Sequence, residues 1–402
     1  MSSLRGSAPA SPRGSASVPV TQPAPAPAYS RGVPEFSFDA LRRYPDIEAD
    51  NLFAVDASDR LILDEAASAL AQAGTGEVVV IGDHYGALAL GAIALHGATD
   101  VRVHQDPLSG ELALAHNATA AGLEGLHSQH PLDESLLAGA KVVLMQLPRS
   151  LAALDEIAAA IARWADSEVT VIGGGRLKHM SIAMNEVYGR HFSDVRASLG
   201  RQKSRVITSR LPIASENLYP LREFHEELGL WVCAHGSAFA GTRLDIGTRY
   251  LLGFLREMKA DAATAVDLGC GTGILACALA LSRPELAVLA TDESAAAVAS
   301  TIATAEANNL AITVLRDDAL STQPDGCADL VLLNPPFHVG SAVHPGVALK
   351  LFEEAARVLK PGGELWTVFN SHLSYRAALT RAVGATRQVG RNEKFTVTVS
   401  TR

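Results

Sequence analysis

Cysteines, metal-ligand spacings and long apolar runs are all scarce in this sequence. The chain has four cysteines in 402 residues and no CxxC pair, which excludes a disulfide scaffold and a zinc ribbon and predicts a reduced, cytoplasmic setting. No apolar run approaches the ~18 residues that a membrane-spanning helix needs, so no membrane partner is expected. The thirteen histidines form no HExxH pattern, so we expect no metal. The net charge of −9 at pH 7 argues against non-specific coating of nucleic acids.

Acidic residues are absent from the first part of the chain. Residues 1–34 consist mainly of alanine, proline, serine and glycine, with three arginines. Such a segment cannot bury enough apolar surface to offset the entropy cost of ordering it, so we predict a disordered N-terminal tail. The tail lacks the apolar centre of a secretory signal, and an organelle transit peptide is the alternative interpretation.

From Phe36 onward, short apolar runs alternate with helical segments. The runs typical of strands are Glu77–Ile81, Asp100–Val103, Lys141–Leu147 and Glu168–Ile172 in the first half, and Ala263–Leu268, Ala287–Thr291, Ala328–Leu333 and Glu364–Phe369 in the second. Helices are predicted after several of these strands, for example over Leu151–Trp164 and Phe352–Leu359. This alternation predicts an α/β fold with a mostly parallel sheet and helices on both faces.

The two halves repeat one spacing of glycines and polar residues. The corresponding residues are Gly269, Asp292 and Asn334 in the second half, and Gly82, Asp106 and Gln146 in the first. Their separations are 23 and 42 residues in the second half and 24 and 40 in the first. We interpret this as a duplication in which only the second copy keeps its chemistry, with two unrelated doubly wound domains as the alternative. The predicted domains span residues 35–212 and 213–402.

A glycine-rich loop, DLGCGTG, follows the first strand of the second half and runs from Asp267 to Gly273. Its three glycines permit a tight turn and a close approach of the backbone to a ligand. The aspartate before the first glycine favours S-adenosylmethionine over a dinucleotide. Downstream, Asp292 ends the strand where doubly wound folds place an acid for ribose hydroxyls, although a helix-capping aspartate is the alternative. Asp318, in Arg316-Asp317-Asp318-Ala319, lies between the runs Ala287–Thr291 and Ala328–Leu333 and could accept from an adenine amine, although an ordinary pair of loop acids is the alternative.

The second motif is Asn334-Pro335-Pro336-Phe337-His338, at the end of a buried strand. The two prolines fix φ and remove two backbone donors, which leaves a rigid turn with free carbonyls. The Asn334 side-chain oxygen and the Pro335 carbonyl can accept hydrogen bonds from one exocyclic NH2 group, and Phe337 offers a face for stacking a planar ring. This arrangement would orient an amine for in-line transfer of a sulfonium methyl group, which requires positioning rather than a metal or a covalent nucleophile.

Both motifs resemble those of class I S-adenosylmethionine-dependent methyltransferases, in which NPPF marks enzymes that act on the NH2 group of a planar system. Further stretches resemble the bacterial ribosomal RNA guanine-N2 methyltransferases, whose chains are two tandem methyltransferase-like domains, and among them the branch that acts on large-subunit (23S) RNA. The matching stretches are Leu244–Gly247, Asp292–Ser294, Ala297–Ser300, Gly363–Leu365, Asn370–Leu373 and Asn392–Phe395 in the second half, and Arg43–Pro45, Ala54–Asp59, Gly86–Leu88 and Leu147–Leu151 in the first. The resemblance implies two tandem Rossmann-like domains, the N-terminal one degenerate. The N-terminal tail is not a feature of the family.

The resemblance also implies roles for individual residues. The residues implied to bind S-adenosylmethionine are Asp267, Gly269, Gly271, Gly273, Asp292, Asp318, Ala319 and Asn334. Those implied to hold the guanine amine are Asn334, Pro335 and Phe337. The expected activity is methyl transfer to N2 of a guanine in 23S ribosomal RNA by a cytoplasmic monomer. The alternatives are a 16S rRNA guanine-N2 enzyme, another NPPF/Y-type enzyme acting on DNA adenine or protein glutamine, and a non-catalytic RNA-binding factor.

The first half lacks the residues of this site. His84 lies in the loop that corresponds to DLGCGTG, and we expect it to fill the cleft and exclude the cofactor. RNA docking is the expected use of this half, because residues 175–210 carry eight lysines and arginines against two acids and a basic face suits phosphate contacts. An ordinary charged surface is the alternative. The expected RNA-binding residues are Arg176, Lys178, Arg201, Lys203 and Arg205.

Overall fold

Buried apolar runs form one seven-stranded sheet in each half of the chain. The computed structural model describes residues 36–214, 216, 218–336 and 345–402, so the predicted N-terminal tail lies outside the described residues. The strands of the first sheet are β1 Val78–Ile81, β2 Val101–His104, β3 His127–Gln129, β4 Val142–Gln146, β5 Thr170–Arg176, β6 Phe192–Ala197 and β7 Ser204–Pro212. A separate hairpin follows, formed by β8 Leu221–His225 and β9 Leu230–Ala234. The strands of the second sheet are β10 Thr264–Leu268, β11 Ala287–Asp292, β12 Thr313–Arg316, β13 Ala328–Leu333, β14 Leu359–Asn370, β15 Ala385–Arg391 and β16 Phe395–Thr401.

Both sheets have the same strand order. It is β3-β2-β1-β4-β5-β7-β6 in the first sheet and β12-β11-β10-β13-β14-β16-β15 in the second. In each sheet the first five strands in this order are parallel and the remaining two pairings are antiparallel. The predicted fold class, two tandem Rossmann-like domains, is therefore confirmed. Because the parallel strands end at one edge, each sheet has one edge suited to a ligand site.

Helices cover both faces of each sheet. In the first half they are α1 Ala57–Leu70, α2 Ala87–His96, α3 Leu108–Ala121, α4 Glu134–Leu137, α5 Leu151–Trp164 and α6 Ala183–His191. In the second half they are α7 Ile246–Leu252, α8 Ile274–Ser282, α9 Ala295–Ala307, α10 Pro345–Val358 and α11 Arg376–Ala382. Within β1, Val78 and Val80 pack in one apolar core, whereas Val79 and Ile81 pack in the core on the other face. A strand that is buried on both faces explains the continuous apolar runs in the sequence.

Equivalent hydrogen bonds define how the two halves correspond. The N–H of Gly269 donates to the carbonyl of Thr291 (2.8 Å), and the N–H of Gly82 donates to that of His104 (3.0 Å). The residue after His104 is Gln105, so the counterpart of Asp292 is Gln105. The sequence-based pairing of Asp292 with Asp106 is therefore wrong by one residue, because counting from the glycines alone did not locate the end of β2.

No helix in the described ranges of the chain has both the length and the apolar character needed to cross a membrane. The same residues contain no cluster of three or more histidine, cysteine or acidic side chains arranged to hold a metal ion.

Candidate active site

The glycine-rich loop after β10 has a backbone that requires glycine. Gly269, Gly271 and Gly273 all have positive φ, at +73°, +57° and +77°, a region that other L-residues rarely adopt. A Cβ atom added at Gly269 or Gly271 would have no neighbour within 4 Å, whereas one at Gly273 would lie 2.8 Å from Cγ2 of Thr301. The first two glycines therefore border open space, and the third allows the start of α8 to pack closely against α9.

Asp267 is buried beneath this loop. Its Oδ2 accepts a hydrogen bond from the N–H of Ala276 in α8 (3.0 Å), and its Oδ1 has no hydrogen-bond partner among the described residues. Burial raises the pKa of Asp267 to about 7, because the charged form loses its hydration. The carboxyl group thus anchors α8 and keeps one acceptor unused.

Asp292 connects the glycine-rich loop to the helix that follows β11. Its Oδ2 accepts from the N–H of Gly271 (3.0 Å), and its Oδ1 accepts from the N–H of Ser294 (3.0 Å). Ser294, not Asp292, provides the side-chain cap of α9. Asp292 is therefore not the residue that caps this helix, and the helix-capping alternative is wrong.

Two adjacent aspartates after β12 have different surroundings. Asp317 is buried and accepts from the hydroxyl groups of Ser321 (2.7 Å) and Thr322 (2.6 Å), which closes the following turn. Both carboxylate oxygens of Asp318 lie 2.6 Å from the ammonium group of Lys350 on α10. A ligand that hydrogen-bonds to Asp318 would therefore share it with Lys350 or displace that side chain.

The Asn334 amide at the end of β13 is held in one orientation. Its Nδ2 donates to Oδ2 of Asp245 (3.1 Å) and to Oγ1 of Thr248 (3.1 Å), both at the start of α7. A carboxylate can only accept, so the amide nitrogen must face Asp245. The opposite atom, Oδ1, is buried and has no hydrogen-bond partner within the described part of the chain, which leaves it free to accept from a ligand.

A cavity of about 490 Å³ lies at the carboxyl edge of the second sheet. The predicted site residues that line it are Gly269, Gly271, Asp292, Asp318, Ala319, Asn334 and Pro335. Two predicted cofactor residues, Asp267 and Gly273, are not part of the lining. Phe337 and His338 lie outside the described residues.

The cavity also contains residues that the motifs did not single out as site residues. They include Asp106 and Pro107 from the first half, and Phe239, Arg243, Asp245, Thr248, Lys350 and Leu351 from the second. Asp245 lies within Leu244–Gly247, one of the stretches that resemble the rRNA guanine-N2 methyltransferases, and this resemblance could have identified it as a site residue. The others come from distant parts of the chain with no recognisable spacing.

The corresponding edge of the first sheet is closed by its own polar side chains. His84 has a φ of +60°, close to that of Gly271, and desolvation by the surrounding protein lowers the pKa of its imidazole; that it fills the cleft stays a prediction. Gln146, at the position of Asn334, donates to the hydroxyl of Ser58 (3.1 Å) and to the carboxylate of Asp59. The hydroxyl of Ser58 also lies 3.3 Å from Oε1 of Gln146, so the oxygen of this amide, unlike Oδ1 of Asn334, has a partner within the protein and is not available to orient a substrate.

The basic residues expected to bind RNA come together at the carboxyl edge of the first sheet. Arg176 ends β5, and Lys203 precedes β7, where its carbonyl accepts from the N–H of Leu177 (2.9 Å). Arg176 and Arg201 each form an ion pair with an aspartate. Within the described ranges, the members that make no ion pair are Lys178, Lys203 and Arg205. We call these five residues, 176, 178, 201, 203 and 205, the basic cluster.

Two family models match the chain. The Methyltransferase small domain matches residues 229–399, and the RLMG N-terminal domain matches residues 34–212. Residues 213–228 lie between the two matches.

Similar proteins cover nearly the whole chain. The ribosomal RNA large subunit methyltransferase G of Streptomyces avermitilis is 36% identical over a 375-residue alignment that covers 89% of this chain and 95% of that protein. The protein of the same name from Pseudomonas aeruginosa is 34% identical over 362 residues, covering 89% and 96%. Among solved structures, the T. thermophilus 16S rRNA N2 methyltransferase RsmC, in complex with AdoMet and guanosine, matches with a TM-score of 0.68 and 21% identity, covering 89% of this chain and 97% of that chain.

Proposed function

The chain belongs to the ribosomal RNA large subunit methyltransferase G family, and we propose that it transfers a methyl group from S-adenosylmethionine to N2 of a guanine in large-subunit (23S) ribosomal RNA. Relatives named for the large subunit support the choice of RNA. The observation that carries the proposal is that Asn334 lines the cavity and that its buried Oδ1 has no hydrogen-bond partner among the described residues.

The residues of the cavity fit the proposed cofactor. Its volume, about 490 Å³, lies within the roughly 300–1,000 Å³ typical of small-molecule sites. The left-handed Gly269 and Gly271 border open space, so their backbone can approach a ligand closely. Asp292 and Asp318 supply carboxylates for the ribose hydroxyls and the adenine amine. When bound, S-adenosylmethionine supplies an electrophilic methyl group on its sulfonium.

The chain's own contribution to chemistry is to orient the guanine amine. The N2 lone pair of guanine is delocalised into the ring, which makes it a poor nucleophile. Hydrogen bonds accepted by Asn334 Oδ1 and by the carbonyl of Pro335 would hold both amine hydrogens and draw the nitrogen towards a tetrahedral geometry. Because Asp245 and Thr248 fix the amide, this acceptor is in place before the base arrives, which lowers the cost of alignment.

We further propose that the basic cluster of the first half contacts the phosphates of the RNA. Lys178 and Lys203 are exposed and make no ion pair among the described residues, so their charges are available to phosphates. A paired target base would have to be flipped out at a cost of a few kcal/mol, which favours unpaired or protein-free RNA as substrate.

The test is methyl transfer by the purified full-length protein. Labelled S-adenosylmethionine is incubated with protein-free 23S and 16S rRNA from a strain that lacks the corresponding gene, followed by nucleoside analysis. The expected product is N2-methylguanosine in 23S rRNA. Label in 16S rRNA would retain the chemistry and correct the target, and label in neither would contradict the proposal and direct the search to DNA and protein substrates.

The matched variant is Asn334→Ala. Loss of the amine acceptor should lower turnover by about 10²-fold or more, while the dissociation constant of S-adenosylmethionine changes far less, because Gly271 and Asp292 remain. Unchanged turnover in this variant would contradict the role of Asn334.

A further inference from the structure

The two halves of the chain contact each other through equivalent turns. In the turn between β2 and α3, the N–H of Leu108 donates to the carbonyl of Glu293 (2.9 Å). In the turn between β11 and α9, the N–H of Ala295 donates to the carbonyl of Asp106 (2.8 Å). The residues immediately before α3 and α9 face each other in an antiparallel bridge. The exchange of donor and acceptor gives the contact a local twofold character, as expected between two copies of one unit.

The side chain of Asp106 extends this contact to the start of α9. Its Oδ2 accepts from the hydroxyl of Ser294 (2.8 Å), and its Oδ1 accepts from the N–H of Ala296 (2.9 Å). The Ser294 hydroxyl in turn accepts from the N–H of Ala297 (3.1 Å). A helix of the second half is thus capped jointly by its own serine and by an aspartate of the first half.

This cap is directly linked to the glycine-rich loop. Ser294 donates its N–H to Asp292, which also accepts from the N–H of Gly271. The hydrogen bonds therefore run without interruption from Asp106 through Ser294 and Asp292 to Gly271. Asp106 itself lines the same cavity.

Arg316, at the end of β12, holds the opposite side of the turn that carries Asp106. Its guanidinium donates to the carboxylate of Glu111 (2.7 Å) and to the carbonyls of Gln105 (3.0 Å), Asp106 (3.0 Å) and Glu293 (3.1 Å). The position of the Asp106 carboxylate relative to α9 is therefore set by bonds from both halves.

We propose that Asp106 is a positioning residue for the S-adenosylmethionine site. Through Asp106, the degenerate first half holds the turn between β11 and α9, with the ribose-binding Asp292, in the geometry that binds the cofactor. Both carboxylate oxygens of Asp106 are engaged within the protein, so it acts through Ser294 and Asp292. A loop that is ordered before the ligand arrives costs less binding free energy than one ordered by the ligand. The inference rests on the proposed function, because it presupposes this cofactor.

The test is a calorimetric titration of full-length Asp106→Ala with S-adenosylmethionine and with its demethylated product. Loss of the cap should weaken binding of both by about tenfold. Asp106→Asn keeps one acceptor and should fall between this variant and the original protein. The matched control is Asp133→Ala, which removes another aspartate cap of the first half, at α4, and should leave the affinity unchanged. In turnover assays, Asp106→Ala should raise the KM for the cofactor more than it lowers kcat.

The outcomes separate this inference from the proposed function. Weakened binding in both Asp106 variants but not in Asp133→Ala supports the inference. An unchanged dissociation constant in Asp106→Ala or, if that variant does not fold, in Asp106→Asn would overturn it, even with a lowered melting temperature, because Asp106 would then act on stability alone. Failure of the original protein to bind either ligand would overturn the proposed function and this inference together.

Discussion

At Asn334, one side-chain amide combines two hydrogen-bonding roles. Its nitrogen donates to Asp245 and Thr248, and its buried oxygen has no partner among the described residues. If nothing held its nitrogen, the amide could rotate and present that nitrogen to the substrate, and an NH2 group would repel the incoming NH2 group of the base. Asp245 and Thr248 therefore contribute to turnover by fixing the amide, although neither accepts a hydrogen bond from the guanine amine.

Thr248→Val tests this orientation with an almost isosteric change. The valine keeps the shape of the threonine and removes the hydroxyl that accepts from Asn334 Nδ2 (3.1 Å). Since one hydrogen bond contributes about 1 kcal/mol, kcat should fall about fivefold at saturating cofactor. Thr248→Ser restores the hydroxyl and should have a kcat close to that of the original protein. Equal rates in the valine and serine variants would show that the hydroxyl does not orient the amide.

At the scale of secondary-structure elements, both helices that follow the first strand of a sheet start at a buried carboxyl group. Asp267 accepts from Ala276 in α8, and Asp83 accepts from Leu88 and Ala89 in α2. Burial raises the pKa of Asp83 to about 6 and that of Asp267 to about 7. In the unfolded chain these groups titrate near 3.8.

The direction of the resulting pH dependence follows from proton binding. Between pH 4 and pH 6, native Asp83 retains a proton that the unfolded chain has released, so its contribution to the free energy of unfolding falls as the pH rises. Asp83→Asn removes this titration and should make the decline in melting temperature between pH 4 and pH 6 shallower. Calorimetric scans at several pH values measure the slope. Asp133→Asn is the control, and an equal slope in Asp83→Asn and the original protein would contradict the prediction.

The basic cluster lies at the end of β5, at the start of β7 and in the chain between them, and its contribution to RNA binding can be measured separately from chemistry. The double variant Lys178→Ala/Lys203→Ala should weaken RNA binding and reduce the salt dependence of log K by roughly 0.7 to 1 per lysine. Cofactor affinity should not change. Lys141→Ala is the control, because Lys141 precedes β4 at the other edge of the same sheet and is paired with Glu77. A salt dependence that is unaltered in the double variant would indicate that the RNA docks elsewhere.

At the scale of the whole molecule, the sequence predicted those parts that depend on local pattern. The strand Ala328–Leu333 and the helix Leu151–Trp164 have the predicted bounds, because the apolar run Leu330–Leu333 and a serine before the helix are visible in the sequence. The antiparallel strand β6 was not predicted, since its side chains are mostly exposed or half-buried and show no apolar run. The helix predicted to begin at Phe352 starts at Pro345.

The candidate site was predictable where its residues follow strands directly. Gly269, Asp292 and Asn334 do so, and they line the cavity. Thr248 and Asp106 were not predictable as parts of the site, because each reaches it from a distant segment of the chain through tertiary packing. The pairing of Asp106 with Asp292 was wrong for a related reason: the carboxylate of Asp106 accepts hydrogen bonds at the start of α9 in the other half, and residue spacing does not show such a tertiary contact.

A second contact between the halves lies at Gly236, where the chain passes the start of α5. Gly236 donates its N–H to Oε2 of Glu156 (2.6 Å) and accepts from the hydroxyl of Ser150 (3.2 Å). A Cβ atom at this position would lie 2.3 Å from the carbonyl oxygen and 2.6 Å from the carbonyl carbon of Ala152. Backbone atoms cannot move aside without shifting α5, so only glycine allows this approach.

Gly236→Ala should therefore destabilise the whole chain rather than one half. Overpacking of this kind costs about 1–3 kcal/mol, which corresponds to a fall of roughly 2–6 °C in melting temperature. Gly189→Ala is the matched control: Gly189 lies inside α6, a Cβ there would meet no atom within 4 Å, and alanine is the better helix former by about 0.5–1 kcal/mol. Calorimetry should show opposite shifts for the two variants. Because Gly236→Ala would push the two halves apart, it should also weaken cofactor binding. An unchanged melting temperature together with an unchanged cofactor affinity would mean that the two halves do not pack through this contact.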